Sequence, residues 1–271
     1  MNNHHQCDSA GRVAPPFRPG WLLAGVVLFG IGFGFVEAVV VVDLRAILGS
    51  ATGRTDLLSA DEIFPMIPLG RLERTDPAAA RLMKIEVLRE AATLVILAGV
   101  GLAAGRTFIQ RFSIFLVAFG IWDLCYYLFL KILLGWPASV WTWDILFLIP
   151  VAWAAPVLAP AIVAASMVVA GSAVIVREAS GRAFRVSGWE WTALVGGGFL
   201  LILSFCWDWR NIASGGMPNP FAWPLFAAGE GVGLGGFLHA VWTNRAETRS
   251  MHERAGTSNG GIIAIAKAKR A

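Results

Sequence analysis

Charge is scarce in this sequence. Only 15% of its 271 residues are Asp, Glu, Lys or Arg, while 56% are apolar, and soluble domains carry roughly 25% charged residues. That balance excludes an ordinary water-soluble globule and points to lipid as the main solvent. Cysteine is scarcer still: Cys7, Cys125 and Cys206 have no metal-type spacing, and no disulfide framework follows from them. Four histidines are too few for a multi-histidine di-iron hydroxylase or a bis-histidine haem. His4 and His5 are too terminal to make a metal site, and His239 reads either as a lone axial ligand or as a polar residue near a helix end. The sequence also lacks HExxH, a paired Ser/His arrangement, an aspartate-rich diphosphate–Mg motif and any nucleotide-binding motif. No metal site is implied, and the cofactor stays unknown.

Long charge-poor runs are what the chain has in abundance. About 20 apolar residues cross a bilayer core of roughly 30 Å, and the runs predict an all-α polytopic membrane helical bundle of about six transmembrane helices. The expected spans are 21–42, 82–105, 112–134, 156–176, 189–207 and 221–242, with a polar connection over 43–77. The second helix is expected to start near Ala78, and Arg106 to Arg111 forms a tight basic turn. Residues 1–20 and 243–271 read as polar tails, the latter disordered over Gly256 to Gly261. The first run is too long for a signal-peptide core and reads as an uncleaved helix. A single helix over Trp136 to Val176 would be roughly 60 Å long at 1.5 Å per residue, twice the bilayer. Pro137, Pro150, Pro156 and Pro160 break it, because proline lacks the N–H and clashes with the preceding turn. Trp136 to Ala155 is therefore expected to be a Pro/Trp-rich interfacial or re-entrant segment.

The formal charge of +4 and pI near 9.3 reflect basic residues beside hydrophobic spans rather than a nucleic-acid surface. Arg12, Arg18, Arg106, Arg111, Arg177, Arg182, Arg185 and the C-terminal positives fall on one side, whereas the opposite short connections offer only Lys131 and Arg210. The positive-inside rule then places both termini in the cytoplasm. Tryptophan placement agrees: Trp21, Trp189, Trp191 and Trp242 fall at the inner boundary. Trp136, Trp141, Trp143, Trp207, Trp209 and Trp223 fall at the outer one, as aromatic belts do.

Ionisable groups inside spans carry the functional signal, because a charge at mid-bilayer costs about 2.5–3.5 kcal/mol even on lenient insertion scales. Glu37 sits near the outer end of helix 1. Glu86, Arg89 and Glu90 share one helix face at i, i+3 and i+4. Asp123, Tyr126 and Tyr127 repeat that spacing, with Lys131 one turn further on. The candidate site is thus Glu37, Glu86, Arg89, Glu90, Asp123, Tyr127 and Lys131, gathered around a hollow in the outer half of the membrane. The plainer alternative is a set of ion pairs that holds helices in register, with Arg89 and Lys131 neutralising two of the acids. Acids outnumber bases, however, and a carboxylate left unpaired in low dielectric can stay protonated and serve as an acid or proton relay. The glycines at 229, 231, 233, 235 and 236 have no preceding strand, so they read as helix-packing positions rather than a phosphate loop, as do Gly30 and Gly34.

Trp122-Asp123 with Tyr126-Tyr127, then Trp136-Pro137-x-Ser139, then Trp143-Asp144-x-Leu146-Phe147-Leu148-Ile149-Pro150 form a longer pattern. It resembles a group of uncharacterised bacterial multi-pass membrane proteins, and the similarity extends to Glu37, the Glu86–Glu90 cluster and Trp207-Asp208. The resemblance implies a bacterial inner-membrane protein and carries no activity. Three readings stay open. One is an enzyme doing acid–base chemistry on a lipidic or isoprenoid-like small molecule, with Asp123 or Glu37 as the acid. The second is a proton-coupled carrier or channel, and the third a non-catalytic accessory or assembly subunit. Expected partners are membrane lipids and a hydrophobic small molecule, with no nucleic acid; oligomeric state is not encoded legibly.

Overall fold

The computed structural model describes residues 19–52 and 73–268, with side-chain environments for 20–47 and 73–246. Expectations placed on residues 1–18 (Cys7, His4 and His5 among them) and on 53–72 of the first loop lie outside the described residues.

Seven helices and one hairpin make up the described chain. They are α1 (Pro19–Thr52), α2 (Pro77–Ala104), α3 (Phe108–Leu134), β1 (Trp143–Phe147), β2 (Trp153–Pro156), α4 (Leu158–Ala179), α5 (Gly188–Cys206), the short α6 (Trp209–Ala213) and α7 (Trp223–Ala268). Five of them, α1 to α5, contain stretches long and apolar enough to cross a membrane. The bundle is all-α, as hydropathy indicates, with six as an approximate count. The sixth expected span is the first part of α7, where glycines, Glu230 and His239 dilute the apolar character.

Local chemistry sets the helix ends. Asp76 accepts from the N–H groups of Ala78 and Ala79, both at 3.0 Å, and Pro77 follows it at the first helical position, so α2 starts there. Thr107 caps α3 by accepting from Gln110 N–H at 3.1 Å. Gly135, at φ 69°, ends α3 in the left-handed conformation that glycine adopts without a Cβ penalty.

Helix packing relies on close backbone approach. A Cβ on Gly30 would lie 2.7 Å from Ile121 Cγ2, and one on Gly34 would lie 2.7 Å from the Trp122 carbonyl oxygen, so α1 rests directly on α3. Gly229 of α7 faces the Gly197 backbone of α5 in the same way and Gly236 meets Ala193, whereas a Cβ on Gly231, Gly233 or Gly235 would meet nothing within 4 Å. Large apolar side chains such as Leu28, Leu88, Val95 and Leu102 point outward, 62–70% exposed, the surface expected of helices that face lipid.

Three sequence expectations change and a fourth gains detail. α1 continues past Val42 to Thr52, because Asp43 and Arg45 are accommodated on a helix rather than in a loop. Residues 143–156 form an antiparallel hairpin, a detail that the interfacial or re-entrant reading of 136–155 left open, pairing Trp143 with Pro156, Asp144 with Ala155, Ile145 with Ala154 and Phe147 with Trp153. Its prolines stop helix formation, and the strand ladder satisfies backbone groups that helix would otherwise satisfy. Trp136 is fully buried rather than part of an aromatic belt, with the Arg45 guanidinium 4.4 Å above its ring. Finally, α7 remains helical through 256–261, where composition alone suggests disorder; good helix formers from Ile262 to Ala268 follow the glycines.

Candidate functional site

α1, α2, α3 and β1 converge on a hollow of about 50 Å³. One ordered water needs roughly 10–15 Å³ of such space, so the hollow holds a few waters and no acyl chain. Glu37, Glu86, Arg89, Glu90, Asp123 and Tyr127 all line it. Six of the seven candidates are therefore brought together, although they come from three helices far apart in sequence.

Arg89 is the centre of one half. Its Nη1 donates to Glu37 Oε2 and, at 3.1 Å, to Thr93 Oγ1. Nε and Nη2 donate to the two oxygens of Glu86 at 2.9 and 2.6 Å. The fork geometry of guanidinium suits a carboxylate held by two parallel bonds. Glu37 and Glu86 are buried, so the pairing reading holds for this triad. Glu90, one position along the helix, points differently: its Oε2 accepts the Leu148 N–H at 2.8 Å, tying α2 to the end of β1.

The other half has less cationic compensation. Tyr127 Oη donates to Asp144 Oδ2 at 3.0 Å, and Tyr126 and Tyr127 pack edge to face with centroids 4.9 Å apart. Burial pushes the Asp144 carboxyl up to about 6, against the opposing influence of the Arg45 guanidinium and the Tyr127 hydroxyl. Asp123 Oδ2 is buried without a hydrogen-bond partner. An orphaned buried carboxylate oxygen is uncommon in folded proteins and calls for an explanation such as a proton or a water.

Lys131 does not join the site. It is exposed, and its Nζ donates to the carbonyls of Gly135 and Pro137 at 2.8 Å each, closing the C-terminus of α3. It neutralises none of the acids. Arg45, Thr93, Tyr126 and Asp144 belong to this region and were missed as site residues. For Arg45 the usable signal was its spacing of two helical turns from Glu37, provided α1 continues; for Asp144 it was its place in the Trp143-Asp144 motif. Among the described residues no group of three or more His, Cys, Asp or Glu side chains is arranged to hold a metal ion.

What the arrangement can do follows from its inventory. Five carboxylates (Glu37, Glu86, Glu90, Asp123 and Asp144) face two guanidinium groups, with two tyrosine hydroxyls between them. Such a set can bind waters and exchange protons, and Val41, Leu44, Trp122 and Phe147 give the same hollow an apolar side. In comparison with known proteins, no family model, curated protein or solved structure matches this chain.

Proposed function

We propose that this multi-pass membrane protein moves protons through its buried carboxylate cluster, as the proton-handling part of a carrier or channel. The observation that carries the reading is Asp123: a carboxylate lining a water-sized hollow, one of whose oxygens has no hydrogen-bond partner. The Asp123 carboxylate takes a proton from hydronium that enters the hollow, leaving water, and passes it on to the Asp144 carboxylate beside Tyr127, while the Arg89 triad fixes the opposite wall. Proton relays inside membranes use such carboxylates because a charge there is costly unless paired or protonated. Acid–base chemistry on a lipidic or isoprenoid-like molecule fits less well, since a hollow of about 50 Å³ leaves no room for the chain.

In this proposal the cluster lies in the outer half of a bacterial inner membrane, with both termini cytoplasmic, a placement supported by the basic residues near the other ends of the spans. The test is proton flux into proteoliposomes under an imposed membrane potential, read by an enclosed pH-sensitive dye. Flux well above empty liposomes, lost in Asp123→Asn and retained in Asp208→Asn, is the expected result. Flux equal to empty liposomes, or undiminished in Asp123→Asn, overturns the proposal.

A further inference from the structure

A second, larger hollow of about 280 Å³ lies between α3, α4, α5 and α7. Its walls are almost wholly apolar, with Phe112, Leu116, Leu194 and Phe237 among them, and at its far end the Ser166 hydroxyl meets Glu230. Beside it, where α4 ends and α7 passes, is a basic pocket of about 230 Å³ that includes Arg177, Ser180, Arg182 and Arg245. Val174 and Phe184 line both spaces. The apolar cleft therefore runs directly up to three guanidinium groups.

Each part has the chemistry of one end of an amphiphile. Arg177 is positioned by donating to the Asn244 carbonyl at 2.8 Å. Arg182 and Arg245 are exposed and form no ion pair among the described residues. Glu178, the nearest acid in sequence, turns toward the Phe184 N–H at 3.5 Å and does not line the pocket. Ser166 and Arg177 lie on one helix, so the cleft extends about 16 Å along α4 at 1.5 Å per residue. That is close to half of a bilayer core of roughly 30 Å, the reach of one acyl chain within one leaflet. Basic pockets between helices at a membrane surface recognise lipid phosphates, and guanidinium forks bind phosphate with charge-assisted bonds.

We infer that this crevice is a binding site for an anionic phospholipid, its phosphate held by Arg177, Arg182 and Arg245 and one acyl chain laid in the cleft toward Ser166. The site is separate from the carboxylate cluster and does not rest on its function. The full chain, purified in non-ionic detergent, is mixed with dioleoylphosphatidylglycerol or dioleoylphosphatidylcholine, and bound lipid is counted by native mass spectrometry. Phosphatidylglycerol should be retained about tenfold more, because phosphatidylcholine carries the same phosphate but adds a quaternary ammonium that the three guanidinium groups repel. The exposed-site double variant Arg182→Ala/Arg245→Ala should lose that preference, and Ala170→Phe, which fills the cleft, should weaken retention with the arginines intact. Equal retention of the two lipids overturns the inference, as does a full preference in the double-arginine variant. Displacement of phosphatidylglycerol by equimolar inorganic phosphate also overturns it and assigns the pocket to a free anion.

Discussion

Arg89 on α2 donates to Glu37 on α1 across 52 positions of sequence, and the same guanidinium holds Glu86 one turn back on its own helix. Removing this cation leaves two buried carboxylates without their counter-charge. Breaking a buried pair from one side costs about 3–5 kcal/mol, and because the Arg89 side chain is 25% exposed, Arg89→Met should fall toward the lower end. Thermal unfolding in detergent should show a large drop in Tm. Adding Glu37→Gln and Glu86→Gln to Arg89→Met should recover much of it; no recovery would mean that Arg89 stabilises by packing rather than by charge.

Asp123→Asn makes the opposite forecast. The Asp123 Oδ2 has no hydrogen-bond partner to lose, and the amide has nearly the same shape, so stability should stay within about 0.5 kcal/mol, as for substitutions that remove no named interaction. Proton flux in proteoliposomes should nonetheless disappear. A Tm loss as large as that of Arg89→Met would assign Asp123 a structural role.

How much of this was readable from residues alone depends on the period of the signal. Five of the six expected spans were, because runs of apolar residues are local features. The shared face of Glu86 and Arg89 was, because i, i+3 neighbours meet on any helix, and they do so here. Glu90 was placed at the right hollow, but its bond to Leu148 N–H depends on a hairpin that sequence did not reveal. Short apolar strands such as Trp143–Phe147 cannot be told from buried helix by periodicity. Arg45 was lost for a related reason: two charges after an apolar run look like a loop, whereas in the fold Arg45 stacks over Trp136 and acts on Asp144. Lys131 misled because a basic residue two turns beyond Asp123 on the same helix suggests a neutralising charge, whereas a helix C-terminus competes for the same ammonium with its free carbonyls.

Gly34 and Gly32 separate close packing from helix propensity. A side chain at Gly34 meets the Trp122 carbonyl and Cys125 Cβ within 2.8 Å, while one at Gly32 meets nothing within 4 Å. Gly34→Val should push α1 off α3 and lower stability by about 1–3 kcal/mol, the usual cost of overpacking. Gly32→Ala should be neutral or add roughly 0.5–1 kcal/mol by removing glycine's excess entropy. Equal effects of the two changes in thermal unfolding would contradict the α1–α3 contact.

Asp144 lies outside the five spans and supplies a pH dependence whose sign is fixed. Burial lifts its carboxyl from the ordinary value of 3.8 to about 6, so between those values the folded protein holds a proton that the unfolded chain has released. Stability then falls as pH rises through that window, because the unfolded state binds fewer protons there. Below about pH 4 both states are protonated and above about 6 both are ionised, so the slope from this group vanishes on either side. Asp144→Asn removes the titration while keeping an acceptor for the Tyr127 hydroxyl, so as pH rises from about 4 to about 6 its stability should fall less, or rise more, than that of the parent. Denaturation midpoints of both proteins across that range decide the matter. A parent that gains stability toward pH 6, with Asp144→Asn showing an even steeper gain, is also consistent with the sign, since other carboxylates then dominate the total. Identical slopes in the two proteins would mean that Asp144 does not titrate there.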